Sequence, residues 1–174
     1  MNSLFVLILG LSVLFTACSQ DFNEGDKLPD RRTIEETLIG TNRMLLETDD
    51  QDIDDFINRH GWDMKRTGSG LRYEIYKNGA GEDVTPGSIA IIHYSVSLLS
   101  GHKVYSSFDD DAKEFRVGRG GVESGLEQGI LLMSVGDKAR FILPPHLAHG
   151  FPGDGDKIPK RATIVYDVEL IGLK

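Results

Sequence analysis

His146 and His149 stand in an H-x-x-H spacing, and Asp109-Asp110-Asp111 puts three acids in a row. Either could suggest a metal. Two imidazoles can share one side of a turn, but a metal site needs further ligands and an outer layer of hydrogen bonds to aim them. No third ligand stands near the histidines, and contiguous acids are not spaced as cation ligands are. The expectation is therefore no metal and no cofactor, with loop histidines and a solvated acidic loop instead. Cys18 is the only cysteine, so an internal disulfide is excluded. No nucleophile with an attending base is evident.

The elements that would position a site centre on Val122–Gly150. Ser124 with Glu127 three residues later fits a capping box that opens a short helix. Leu126, Ile130, Leu131 and Met133 then put apolar side chains on one face, and Gly129 allows close backbone approach. Val135-Gly136-Asp137 is turn chemistry. Lys138–Leu143 alternates with period two, as a half-buried strand does, and Pro144-Pro145 ends it. Upstream, Leu71, Tyr73 and Ile75 alternate with Arg72, Glu74 and Tyr76. Ile89–Leu99 reads as a central strand, Lys103–Ser107 and Phe115–Gly118 as short ones, and Ala162–Leu170 as the last.

The order V-x-x-G-L-x-x-G, M-x-V-G-x-x-A, P-x-x-L-A-x-G, with Ile92-His93-Tyr94 before it and Ala162–Leu170 after it, resembles the FKBP-type peptidyl-prolyl isomerases. The match runs from about Gly70 to Lys174. The resemblance is strongest to exported bacterial members with an N-terminal helical extension, including isomerase lipoproteins of gliding bacteria. It implies an α+β fold, a strongly twisted antiparallel sheet wrapped around one short helix, with a prolyl pocket between them. Carried over by position, Tyr94, Tyr105, His149 and Tyr166 are the implied catalytic residues. Val104, Phe115, Val122, Glu123, Leu126 and Ile158 are the implied substrate-binding residues. Five positions depart from the family pattern. Val104-Tyr105 stands where the family has Phe-Asp, Glu123 where it has Ile, Leu126 where it has Trp, and His149 where it has Tyr. At Tyr166 the family usually has Phe. The missing strand carboxylate is the most serious of these losses, because it is the one acid in the usual pocket. Glu123 matters less if it serves through its backbone N–H.

The start of the chain has a different character. Leu4–Ala17 is almost wholly apolar, too short to span a bilayer comfortably but suited to a signal-peptide core. Phe15-Thr16-Ala17-Cys18 resembles a bacterial lipoprotein box, which implies acylation of Cys18. Ser19 resembles a signal for the outer membrane. The expected organisation is a signal peptide over 1–17, a polar tether over 18–29, a helical extension over 30–64 and the isomerase domain over 65–174. In the extension, Thr33-Ile34-Glu35-Glu36 and Thr48-Asp49-Asp50-Gln51 each fit a capping box, which predicts two short helices. Ile34, Leu38, Met44 and Leu45 recur in the first, with Gly40 inside. Ile53, Phe56, Ile57 and His60 recur in the second, and Gly61 fits its C-terminal end. Two such helices cannot bury their apolar faces alone. Packing on the domain, pairing into a homodimer and docking a client all remain open.

Charge is uneven along the 174 residues. The net −8 lies wholly between Asp21 and Met64, which hold thirteen acids and five bases, and the remainder balances at fourteen of each. No basic face is apparent, which argues against nucleic acid. The expected function is a membrane-tethered isomerase in the cell envelope, on the outer membrane facing the periplasm, acting on proline-containing polypeptide clients. The alternatives are a peptide-binding chaperone of weak catalysis, which the departures at Val104, Tyr105, Glu123 and His149 favour, and an envelope assembly factor.

Overall fold

A computed structural model of the chain describes residues 30–108 and 110–174. Cys18, the signal peptide and the tether lie outside the described residues, as does Asp109. Among the described residues the chain divides between Leu38 and Ile39 into two compact units.

The extension forms one helix, α1, Arg31–His60. This corrects the expectation of two short helices. At the predicted break, Thr48 is helix interior, and its hydroxyl donates back to the Met44 carbonyl at 2.9 Å instead of capping a new start. Gly40 has open space around it and sits within the helix. The cap also moves upstream: the Asp30 carboxylate accepts the backbone N–H groups of Arg32 and Thr33, so Thr33 lies in the first turn.

The second unit is built on an antiparallel sheet. Its strands are β1 (Lys65–Arg66), β2 (Arg72–Lys77), β3 (Ile89–Leu98), β4 (Lys103–Ser106), β5 (Lys113–Arg116), β6 (Lys138–Leu143) and β7 (Ile164–Leu173). They lie in the order β1-β2-β6-β7-β3-β4, with β5 also on β3. β3 is long enough to pair β5 along its first half and β4 along its second, while β7 runs along its other side. A seven-residue helix, α2 (Ser124–Ile130), packs on one face of the sheet.

Strand alternation assigns the two faces. Phe141 and Leu143 of β6, with Ile164, Tyr166, Val168 and Leu170 of β7, join Leu126 and Ile130 of α2 in the main core. Ile142 and Val165 point the other way, and there Ile53 and Phe56 of α1 cover them. Glycines let α2 approach closely. A Cβ on Gly129 would lie 2.8 Å from the Phe141 ring, and one on Gly125 would lie 2.5 Å from Leu143. Leu131, expected on the buried face, is 39% exposed, because α2 has ended and the chain turns there.

The outer face also carries charge. Arg72 is buried at 3% exposure, donates to the Gly70 carbonyl, and is ion-paired to Asp50 and Asp54 of α1. Arg66 pairs Asp50, and Arg161 pairs Asp49 through one guanidinium nitrogen. Three acids of the extension thus hold the helix to the sheet and its loops. Trp62 packs edge-on to Phe56 and under the Arg140 guanidinium.

Candidate functional site

The ten residues assigned to the pocket come from β3, β4, β5, α2, β7 and the loops between them, and the fold gathers them. Val104 of β4, Phe115 of β5, Leu126 of α2, Ile158 of the loop before β7 and Tyr166 of β7 are all buried in the main core. Tyr94 of β3, Tyr105 and Val122 pack against them half-buried. The Tyr94 and Tyr166 rings lie 5.8 Å apart at a tilt of 45°. Beside them is an open cavity of about 370 Å³, lined by Lys113, Gly121, Val122, Glu123, Ala148 and His149. Two further cavities lie away from these residues, one along β2 and one between α1 and the loop carrying His146.

The polar members form two groups. In the first, the Glu123 carboxylate accepts the Tyr166 hydroxyl at 3.0 Å to each oxygen and meets His149 Nε2 at 2.8 Å. Glu123 is the N-cap of α2 yet makes no side-chain cap bond, because its carboxylate is turned to these partners. The expected Ser124–Glu127 capping box does not form either. The Ser124 hydroxyl reaches the Leu147 carbonyl, and the Glu127 carboxylate accepts the Gly120 N–H. Burial pushes the Tyr166 hydroxyl far above the ordinary phenol range, and the Glu123 charge adds to it. The Tyr94 hydroxyl is raised too, first by burial and then by the fields of Glu123 and Asp110.

In the second group, the Tyr105 hydroxyl donates to Asp154, with Asp156 further off at 3.3 Å. The Asp154 bond, followed by desolvation, pushes Tyr105 up to about 12. Asp154 also holds a turn, accepting the N–H groups of Asp156 and Ile158. The hydrogen bonds to its carboxylate outweigh desolvation and hold it below the usual aspartate range. The Lys157 ammonium lies 5.0 Å from the Tyr105 ring centre.

The site therefore holds an acid after all, brought by α2 and not by β4. Reading each departure by itself concealed this. Ile to Glu adds an acceptor, Phe to Tyr adds a donor, Tyr to His exchanges one donor for another, and all three fall on positions that the resemblance places in one pocket. That complementarity was the available signal. His146 and His149 part company: His146 Nε2 is 2.9 Å from the Ser69 carbonyl, whereas His149 meets Glu123. Among the described residues no cluster of three or more His, Cys, Asp or Glu is placed to hold a metal.

Comparison with known proteins matches this geometry. The family described as FKBP-type peptidyl-prolyl cis-trans isomerase matches residues 80–171, more than half of the chain. The chain belongs to this family. It is 36% identical over 107 residues to FK506-binding protein 1A of Neurospora crassa, covering 60% of this chain and 89% of that one. It is 48% identical over 83 residues to FK506-binding protein 2 of Dictyostelium discoideum, covering 47% of this chain and 62% of that one. With FkpA of Aeromonas hydrophila it shares 38% identity over 112 residues, 64% of this chain and 41% of the relative. Among solved structures it is similar to FkpA from Escherichia coli, with a TM-score of 0.63 and 25% identity over 85% of this chain and 74% of that one.

Proposed function

We propose that the protein catalyses cis-trans isomerisation of X–Pro bonds in exported polypeptides, held at the cell envelope by a lipid on Cys18. The observation that carries the catalytic part is that Tyr94, Phe115, Val122, Leu126 and Tyr166 belong to one apolar cluster, with Val122 also lining the open cavity at the start of α2. Rotation about an X–Pro amide is slow because it breaks conjugation, against a barrier of about 18–20 kcal/mol. The planar amide is polarised, whereas the twisted one is less so. A pocket that grips the proline ring and excludes water disfavours the first and favours the second. A chain passing the rim needs a donor to fix its carbonyl. The Glu123 backbone N–H, to which no described residue is bonded, would be that donor. Such a reaction needs no nucleophile, metal or cofactor.

The placement rests on other grounds: the apolar run ending at Cys18, and the similarity to FkpA proteins of Aeromonas and Neisseria. Residues 1–17 would be the signal peptide, 18–29 the tether, 30–64 the extension and 65–174 the isomerase domain. Ile34, Leu38, Ile39, Met44 and Leu46 stay exposed on α1, which leaves a surface for a second copy or a client.

A soluble form starting at Asp21 is assayed for prolyl isomerisation on a series of Xaa-Pro peptides and on a protein whose refolding waits on proline. Acceleration of either is expected. No acceleration of both by the folded protein would overturn the reading in favour of a peptide-binding chaperone. The bonding of Tyr105 to Asp154 favours that second reading, since it occupies the place of the family's strand carboxylate. Val104→Phe with Tyr105→Asp restores the family pair. Asp154→Asn must accompany them, because a carboxylate at 105 would otherwise face Asp154. A rise from no activity to a clear rate in that variant would mark the native protein as a binder.

A further inference from the structure

Three elements meet at one carboxylate. Glu123 begins α2, Tyr166 lies in the middle of β7, and His149 sits in the loop that follows β6. The Glu123 side chain is only 12% exposed, and both its oxygens are engaged, by Tyr166 at 3.0 Å and by His149 at 2.8 Å. Tyr166 is fixed by burial and by pairing with Phe141 and Val96 on either side. His149 is not fixed by a sheet. It belongs to the run Pro144–Gly150, whose own bonds are the tight turns from Ala148 to Pro144 and from Gly150 to Pro145. Its ring is tied to the domain through Glu123. The same two residues, with Val122 and Ala148, line the cavity beside Tyr94. Elsewhere the run is tied by His146 to the Ser69 carbonyl, by Ser124 to the Leu147 carbonyl and by the Arg161 N–H to Gly150, so Glu123 is the tie at the part of the run that faces the cavity.

We infer that Glu123 is a positioning residue of the isomerase pocket, its carboxylate clasping the His149 loop to the Tyr166 wall so that the cavity keeps the width a prolyl chain requires. This rests on the isomerase reading above. It also gives the departures at 123, 149 and 166 a single explanation. An aliphatic residue at 123 with Phe at 166 leaves nothing for His149 to bind. Glu123 supplies an acceptor for the Tyr166 hydroxyl and the His149 imidazole alike, so the three residues are compatible as a set.

The test uses the form starting at Asp21. Glu123→Ile should lower kcat/KM by about tenfold, the worth of one charge-assisted hydrogen bond, with much of the loss in KM as the wall loosens. It should also speed hydrogen exchange across residues 144–150 while leaving exchange in β3 and β7 unchanged. Glu123→Gln can still accept from Tyr166 and donate to the imidazole, so it should recover a larger part of both. The triple variant E123I/H149Y/Y166F puts the family residue at all three positions together. It should be more active than E123I alone, an outcome that a residue serving only stability would not give. The inference is overturned if E123I keeps full kcat/KM with unchanged loop exchange, or if E123Q is impaired as badly as E123I. It is also overturned if the triple variant is no better than E123I. Should the parent protein accelerate neither peptide nor refolding protein, the isomerase reading itself fails. Loop exchange in E123I and E123Q then decides the clasp by itself.

Discussion

At the scale of single residues, the tyrosines carry information that composition conceals. Tyr76 on β2 donates to Asp167 of β7 at 2.8 Å, and desolvation together with that bond pushes it up to about 12. Tyr105 is likewise pushed up to about 12, chiefly by Asp154. A phenol raised in the folded state favours folding while it stays protonated. Its contribution is full below the ordinary value of 10 and is lost as pH rises toward 12, because the unfolded chain ionises first. The protein should therefore lose stability steadily between these pH values, read as a falling urea midpoint. Tyr76→Phe, which lies on the opposite face of the sheet from the pocket, should make that fall shallower. An unchanged slope would mean that the Asp167 bond is not made in solution. The same residues mark the limit of the sequence reading. Tyr105, Asp154, Glu123 and His149 were all named, but their partners are remote in the chain, and separate readings of each residue do not pair them.

At the scale of elements, the sheet and α2 were legible because their apolar periods are short and are bounded by Gly, Pro and turn residues. Lys138–Leu143 has the expected bounds, and the other strands fall within a few residues of expectation, except β1 at Lys65–Arg66, which was not expected. The helical extension was not legible in the same way. Thr48-Asp49-Asp50-Gln51 has the composition of a helix start. In the structure the helix runs straight through, Thr48 bonds back to the Met44 carbonyl, and the acids that follow pair with the sheet side, Asp50 and Asp54 with Arg72 and Asp49 with Arg161. The weight of these pairs can be measured. Asp50→Asn with Asp54→Asn leaves the Arg72 guanidinium buried with no countercharge. Removing the partner of a fully buried charge costs about 3–5 kcal/mol, and since the aspartates are partly solvated the expected loss here is about 2 kcal/mol. Urea unfolding would show it. Further replacement of Arg72 by Met should restore part of the loss. If the double variant is as stable as the parent, the pairs are surface decoration and Ile53 and Phe56 hold the helix by packing alone.

At the scale of the whole molecule, charge and anchoring have to be taken together. All of the net charge lies between Asp21 and Met64, and the remainder is neutral in sum. An acidic segment is repelled by the anionic lipids of a membrane surface, and a neutral domain gains nothing from them. Among the described residues, moreover, no helix is long and apolar enough to cross a bilayer. In the lipid-anchor proposal the acyl chains on Cys18 supply the attachment, and more than one chain is needed for a firm hold. Two results are then expected. The chain purified from membranes should carry its acyl groups on an N-terminal Cys18, seen in the mass of the first proteolytic peptide. The form starting at Asp21 should stay in the supernatant with phosphatidylglycerol vesicles at low and at high salt alike. Salt is the discriminating variable. A hidden basic surface would bind at low salt and release at high salt, whereas an exposed apolar face such as that of Ile34, Leu38 and Ile39 would bind at both. Sedimentation of this form with vesicles under either condition would show that α1 or the domain shares the attachment. The acidic extension would then be a surface-facing element and not a spacer that keeps the pocket clear of the lipid.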